Sequence, residues 1–231
     1  MTATTDPLTA LADGVWQSTV PVRFIGLRLS ANMTVLRLRG DELLVHSPVA
    51  LTPERRAAVD ALGRVEHLYA PNTFHHLWLR EWIAAYPSAR VHAPADLVKK
   101  HPGLHIDRPH GEPATAFTGA LDEHHVDGFR LGESVLYHHA SRTLVVADLV
   151  HNVGRPQHGW TAFYTRMNGF YDRVALSRMI RWTAFPGRAA ARRSLAAILA
   201  LPFERITVGH GEPVVTDAKA RLTAAYAWLL A

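Results

Sequence analysis

Strand-like and helix-like runs alternate along this chain in an order that leaves few architectures open. Three strand-like runs come first, at Val15 to Phe24, Met33 to Leu38 and Leu43 to His46. A helix follows at Thr52, with Pro53 at its first position, Glu54 in its first turn and Gly63 closing it; these are known start and stop signals. A strand at 65–71, a helix from about Thr73 to Tyr86, a strand at 89–94 and a short helix near Ala95 to Lys100 make a βαβα middle. Beyond a loop rich in Pro, Gly and His come strands at about 117–126, Glu133 to His138 and Arg142 to Asp148. Residues 150–170 read as irregular and aromatic. Helices at roughly 171–182 and 187–200, a strand at 205–210 and a helix from about Thr216 complete the order. Mixed strands with helices outside them predict a layered α/β sandwich. In MTVLRLRG, Thr34, Leu36 and Leu38 alternate with Val35, Arg37 and Arg39, the pattern of a half-buried strand.

Composition narrows the function classes. With 231 residues, 48% of them hydrophobic and 19% charged, the chain can close one core, and residues 13–231 are expected to form a single domain behind a loose tail at 1–12. No apolar run reaches the ~18 residues of a membrane span, so no membrane partner is expected. MTATTDPLTALADG lacks the basic region and apolar core of an export signal, and the chain has no cysteine, which excludes disulfides, thiolate zinc sites and cysteine nucleophiles. The expected address is the cytoplasm. The net charge is +5, but its densest arginines, Arg188, Arg192 and Arg193, sit among alanines as on a solvated helix face. Nucleic acid is therefore not an expected partner. Fifteen histidines supply the imidazoles that suit borderline metal ions.

Four places set polar groups at strand ends, where α/β folds gather their sites. In YAPNTFHHLWLREW, a helix starting near Thr73 would place Asn72, His75, His76, Leu79, Trp82, Ile83 and Tyr86 on one face. In RTLVVADLVHN, a buried strand ends in Asp148, an acid that needs a cation or strong donors, or that caps the next turn beside His151 and Asn152. In RITVGHGEP, a strand delivers His210 into a glycine-flanked turn. At Gly132-Glu133, pairing of 133–138 with 143–148 would bring Glu133 near Asp148 and leave His138 and His139 at the far end. The aromatic run TAFYTRMNGFY offers Phe163, Tyr164, Phe170 and Tyr171 as core or as a lid.

Together LLVHSPV, LYAPNTFHHLWLREW, ESVLYHHASRTLVVADLVHN and VGHGEP, spread over most of residues 15 to 215, resemble the metallo-β-lactamase superfamily. More closely the chain resembles its branch known as domain of unknown function 4336. The resemblance implies an αββα sandwich and a site built from a His-x-His-x-Asp-His motif, a bridging Asp and a late Gly-His turn. Setting His75-His76 on the motif's Asp-His leaves Pro71 and Thr73 at the two preceding histidine positions, and Phe129 in the third-histidine loop. The motif is then degenerate: one metal position is lost, and His75, His76, Asp148 and His210 remain to bind one divalent ion, zinc first, iron or manganese otherwise. The implied function is a hydrolase acting on a small-molecule ester, lactone, amide or phosphoester. Its catalytic residues would be Asp148, with Asn72 stabilising an oxyanion and Glu133 handling the water's proton. Two alternatives stand beside it: a member of the fold that has lost its metal chemistry, and an iron-dependent redox enzyme. The sequence leaves the oligomeric state open.

Overall fold

The structure is a computed structural model that describes residues 7–113 and 115–231. A seven-stranded sheet runs in chain order: β1 (Thr9–Ala12), β2 (Val15–Phe24), β3 (Leu27–Arg37), β4 (Glu42–His46), β5 (Arg64–Tyr69), β6 (Arg90–Ala93) and β7 (Arg108–Pro109). Its first four strands are antiparallel, and β4 through β7 are parallel. The parallel strands are joined by crossovers through α1 (Pro53–Asp60), α2 (Leu79–Ala85) and α3 (Leu97–Lys100). A second sheet has the order β11-β10-β9-β8, from β8 (Leu121–His125), β9 (Ser134–His138), β10 (Thr143–Val145) and β11 (Arg205–Thr207). The remaining helices are α4 (Gly159–Met167), α5 (Arg178–Thr183), α6 (Arg188–Ala200), α7 (Ala218–Ala225) and α8 (Ala227–Leu230).

Three apolar clusters show how these elements stack. Leu36, Leu44 and Tyr69 of the first sheet meet Leu121, Leu136 and Val145 of the second, so the sheets face each other. Val35, Val45 and Leu68 point the other way, against Val59, Leu79, Trp82 and Leu97 of α1–α3. Tyr137, Leu144 and Ile206 likewise pack against Leu195, Ile198, Leu222 and Leu229 of α6–α8. The layers are helix, sheet, sheet, helix. This middle position explains why β3 is not half-buried as its alternation suggests: Val35 and Leu36 are both fully buried, on opposite faces.

Other differences from the sequence reading have local causes. Within the expected tail, residues 1–6 lie outside the described part, but Thr9–Ala12 form β1. The hairpin to β2 turns at Asp13-Gly14, with Gly14 at φ +69°. The loop 101–115 contributes the two-residue β7, and the aromatic segment contains α4. The α1 signals hold: the Thr52 side chain accepts from the Arg55 N–H. A Cβ on Gly63 would lie 2.1 Å from the Asp41 carbonyl oxygen, so only glycine fits there. The α2 helix starts at Leu79 instead of Thr73, after bends at 72–74 and turns at 75–78. Within these turns the Asn72 side-chain oxygen accepts from the N–H groups of Phe74 (2.8 Å) and His75 (2.9 Å). Among the described residues, no helix is long and apolar enough to cross a membrane.

Where the two sheets meet beyond the parallel strand ends, one transverse row carries polar side chains. Paired positions across β3 to β7 are Thr34, His46, Tyr69, His92 and Arg108. Arg108 forms a nearly buried ion pair with Glu123 of the opposite sheet, and the Tyr69 hydroxyl donates to the same carboxylate at 3.0 Å. Arg108 Nε donates to His92 Nδ1. His92 Nε2 therefore carries the proton and donates to His67 Nδ1 at 3.0 Å.

Candidate metal centre

The site grows from the register of β9 on β10. Val145 pairs with Leu136 and Thr143 with His138, so continuing the ladder brings Glu133 beside Asp148 and puts His138 at the far end. Glu133 is fully buried. Its Oε1 accepts from the N–H groups of Ala147 (2.9 Å) and Leu149 (3.2 Å), and its Oε2 accepts from that of Asp148 (2.8 Å). The Asn72 amide donates to Glu133 Oε2 at 3.0 Å and to Asp148 Oδ2 at 2.9 Å. The other Asp148 oxygen, Oδ1, faces His75 Nε2 at 3.4 Å and His210 Nε2 at 3.5 Å.

His210 arrives after β11 through Gly209, whose N–H donates to the Ala147 carbonyl. A Cβ on Gly209 would sit 2.5 Å from the His75 ring, so the close approach of these two segments requires glycine. His210 Nδ1 donates to the Ser30 carbonyl at 2.5 Å, which leaves Nε2 with its lone pair when the ring is neutral. His75 Nδ1 is 2.7 Å from Ser47 Oγ, and Ser47 holds a left-handed backbone, φ +54°. One ligand atom each from His75, Asp148 and His210 falls within 4.8 Å of the other two, the one such group of three found among the described residues. Two imidazole nitrogens and a carboxylate oxygen suit zinc, iron or manganese. A ring nitrogen anchored to a backbone carbonyl is how such ligands are usually oriented. The donor set fits a divalent ion.

Three expectations change. His76 is outside the group: its Nδ1 is 2.7 Å from His101 Nε2, with the rings edge-on. Of the two adjacent histidines only His75 faces Asp148. Asn72 does not offer an oxyanion donor, because both amide hydrogens go to carboxylates. Glu133 cannot reach a water on the metal, because backbone and Asn72 donors occupy both its oxygens. Asn72 holds the Asp148 carboxylate, and Glu133 holds the backbone of residues 147–149. Histidine 151 is the neighbour that sequence reasoning underrates, as merely a local partner of Asp148. Its buried ring lies with its centroid 5.5 Å from that of His210.

No protein-family model matches this chain, and no curated protein does. Solved structures do. A metallo-beta-lactamase from Pontibacter korlensis superposes with TM-score 0.66 at 12% identity, over 96% of this chain and 97% of that one. FIM-1 from Pseudomonas aeruginosa, a metallo-beta-lactamase in its mono-zinc form, gives 0.63 at 14% identity, over 96% and 93%. A fragment described as a diflavin flavoprotein from Nostoc sp. gives 0.67 at 13%, over 96% and 95%. The chain has the metallo-β-lactamase fold. At such identities the likeness carries architecture, and chemistry has to come from the site.

On this metallo-β-lactamase fold, Phe129 is a core residue, stacked on Phe185 at 4.6 Å. The Pro71 carbonyl and the Thr73 N–H are spent on backbone bonds to Ser134 and Leu131. The electrostatics centre on Asp148. Burial alone would raise its carboxyl pKa, but His75 and His210 outweigh that and hold it well below the usual range. Burial would lower His210, and the Asp148 carboxylate and Ser30 carbonyl raise it instead. Glu133 is pushed up to about 7, by burial first and the Asp148 charge second.

Proposed function

We propose that this chain is a hydrolase-like enzyme that holds one divalent metal ion with His75 Nε2, Asp148 Oδ1 and His210 Nε2, and acts on a small-molecule ester, lactone, amide or phosphoester. The observation that carries the reading is the convergence of those three atoms within 4.8 Å, from segments separated by 62 or more residues in sequence. A divalent ion held there supplies Lewis acidity at a substrate oxygen and an acidified water. The chain's own part is to hold the donors. Asn72 pins Asp148 Oδ2 and, through its side-chain oxygen, the His75 backbone. Glu133 ties down residues 147–149. Ser30 and Ser47 fix the outer nitrogens of the two rings. Asp148 stays ionised through the neutral range and keeps its negative charge for a cation.

A second reading, that the fold has lost its chemistry, draws on the same contacts: Asp148 already has Asn72, His75 and His210 as partners without any ion. Turnover of chromogenic esters, lactones and phosphoesters, with zinc, iron or manganese supplied in turn, separates the two. Metal-dependent hydrolysis is expected, reduced at least about 100-fold in Asp148→Asn, since removing a metal ligand or its support costs that order. His139→Ala should leave it unchanged, because His139 pairs with exposed Asp122 instead. Absence of turnover with every metal and substrate class favours the second reading.

A further inference from the structure

The β2–β3 hairpin, α4 and α5 turn one apolar face outward. Trp160 at the start of α4 donates from Nε1 to the Ile25 carbonyl at the hairpin tip, 3.3 Å away, and the Arg28 N–H donates to Thr161 Oγ1 at 2.9 Å. Phe163 stacks on Trp160 at 5.7 Å, and the Tyr164 hydroxyl donates to Met179 Sδ of α5 at 3.8 Å. Phe24, Ile25, Trp160, Phe163, Met167 and Met179 are all exposed on this face, and Trp182 of α5 is 78% exposed. Ile25 is 75% exposed and holds a left-handed backbone, φ +48°, which β-branched residues rarely adopt. Neither the core nor the backbone gains from isoleucine at that tip, and such strain points to function.

Charge identifies the partner. Residues 20–30 carry Arg23 and Arg28 and no acid, and residues 160–182 carry four arginines and one acid, Asp172, which Arg155 already holds. Arg23 and Arg28 pair directly across the hairpin, where like charges repel. Among the described residues, Arg23, Arg28, Arg166, Arg173 and Arg178 are exposed and have no carboxylate partner. Arg178 Nη1 donates to the Met167 carbonyl, which sets one of these charges at the edge of the apolar face.

We propose that this face docks on a membrane surface rich in anionic phospholipid. Exposed tryptophan, phenylalanine and aliphatic side chains enter the headgroup boundary, and the flanking guanidinium groups pair with lipid phosphates. The contact is peripheral and needs no spanning helix, whose absence is the ground for expecting no membrane partner. It is independent of the metal reading. A second copy of the chain fits poorly, because two-fold pairing sets a patch against itself and would press arginine on arginine. Single-stranded nucleic acid suits aromatics that line a basic groove, whereas Ile25, Met167 and Met179 offer no ring to stack on.

The test is sedimentation of the full-length chain with vesicles of phosphatidylcholine alone, or of phosphatidylcholine and phosphatidylglycerol in equal parts. Binding to the mixed vesicles only is expected, weakening as salt is raised. The double variant Ile25→Asn/Phe163→Ser, in which asparagine suits the left-handed tip, should bind at least about tenfold more weakly. If it fails to fold, Arg23→Gln/Arg28→Gln carries the same expectation. No binding to either vesicle, or equal binding by wild type and variant, would overturn the proposal. Salt-sensitive binding to single-stranded DNA in place of vesicles, or dimerisation that Phe163→Ser abolishes, would also overturn it, because each gives the face to another occupant.

Discussion

Acidifying the metal-free protein from pH 7 to pH 5 should cost at least about 4 kcal/mol of stability, a large part of the ~5–15 kcal/mol that holds a domain together. The cause is the polar row between the sheets. Burial drives His46 down to about 3, His67 to about 4 and His92 to about 2, the last two helped by the charges of neighbouring arginines. Unfolded, each would titrate near 6.5. Below that value the unfolded chain takes up protons that the folded chain refuses, so stability is present above pH 6.5 and lost as pH falls. By pH 5 the loss is about 2 kcal/mol per histidine, or about 6 for these three, and His76, His110 and His151, which burial also lowers, add to it. Glu133 works the other way: its raised value favours the folded state as pH falls and offsets about 2 kcal/mol of the loss, and His210, also raised, acts in the same direction. Urea midpoints across pH 5 to 8 would check this, and a profile flat to within about 1 kcal/mol would contradict it. His46→Phe should flatten the profile, since the ring stacks on Tyr69 and its Nε2 has no partner to lose.

Glu133→Ala should cost more than any substitution on the surface, about 3–5 kcal/mol. Its two oxygens satisfy the N–H groups of Ala147, Asp148 and Leu149 and one hydrogen of Asn72. Each buried donor left unsatisfied costs about 1–3 kcal/mol, though water admitted to the space reduces the sum. Asn72 would also lose one of the two carboxylates that fix it, so the Asp148 side chain should lose order with it. Glu133→Gln is expected to fall between, because its amide nitrogen would face donors. Equilibrium unfolding measures both, and a loss under about 1 kcal/mol for Glu133→Ala would mean that these backbone groups find other partners.

Much of this was legible in the sequence because it rests on short-range rules. Strand-like runs mark every strand except β1 and β7, and hairpin arithmetic alone places Glu133 beside Asp148 and His138 away from it. The α1 helix was readable from Thr52, Pro53 and Gly63. Other features depend on tertiary contacts with no local signal. β1 is an Ala- and Thr-rich segment that becomes a strand only by pairing with β2. Which of His75 and His76 faces the centre depends on partners from distant segments, Asp148 for His75 and His101 for His76. The Ser30 carbonyl and Ser47 hydroxyl orient the ligands from strands far away in sequence, and nothing in the residues themselves announces it. Asn72 and Glu133 stand out in the sequence as candidates, but what they do depends on how many donors surround them, which only the fold reveals.

The central claim is that His75, Asp148 and His210 assemble a site for one metal ion. Elemental analysis of protein purified without chelator, followed by titration with zinc, iron and manganese, tests it most directly. One ion per chain is expected, lost on Asp148→Asn and retained in His139→Ala. Two tightly held ions per chain, or none with any metal, would contradict it.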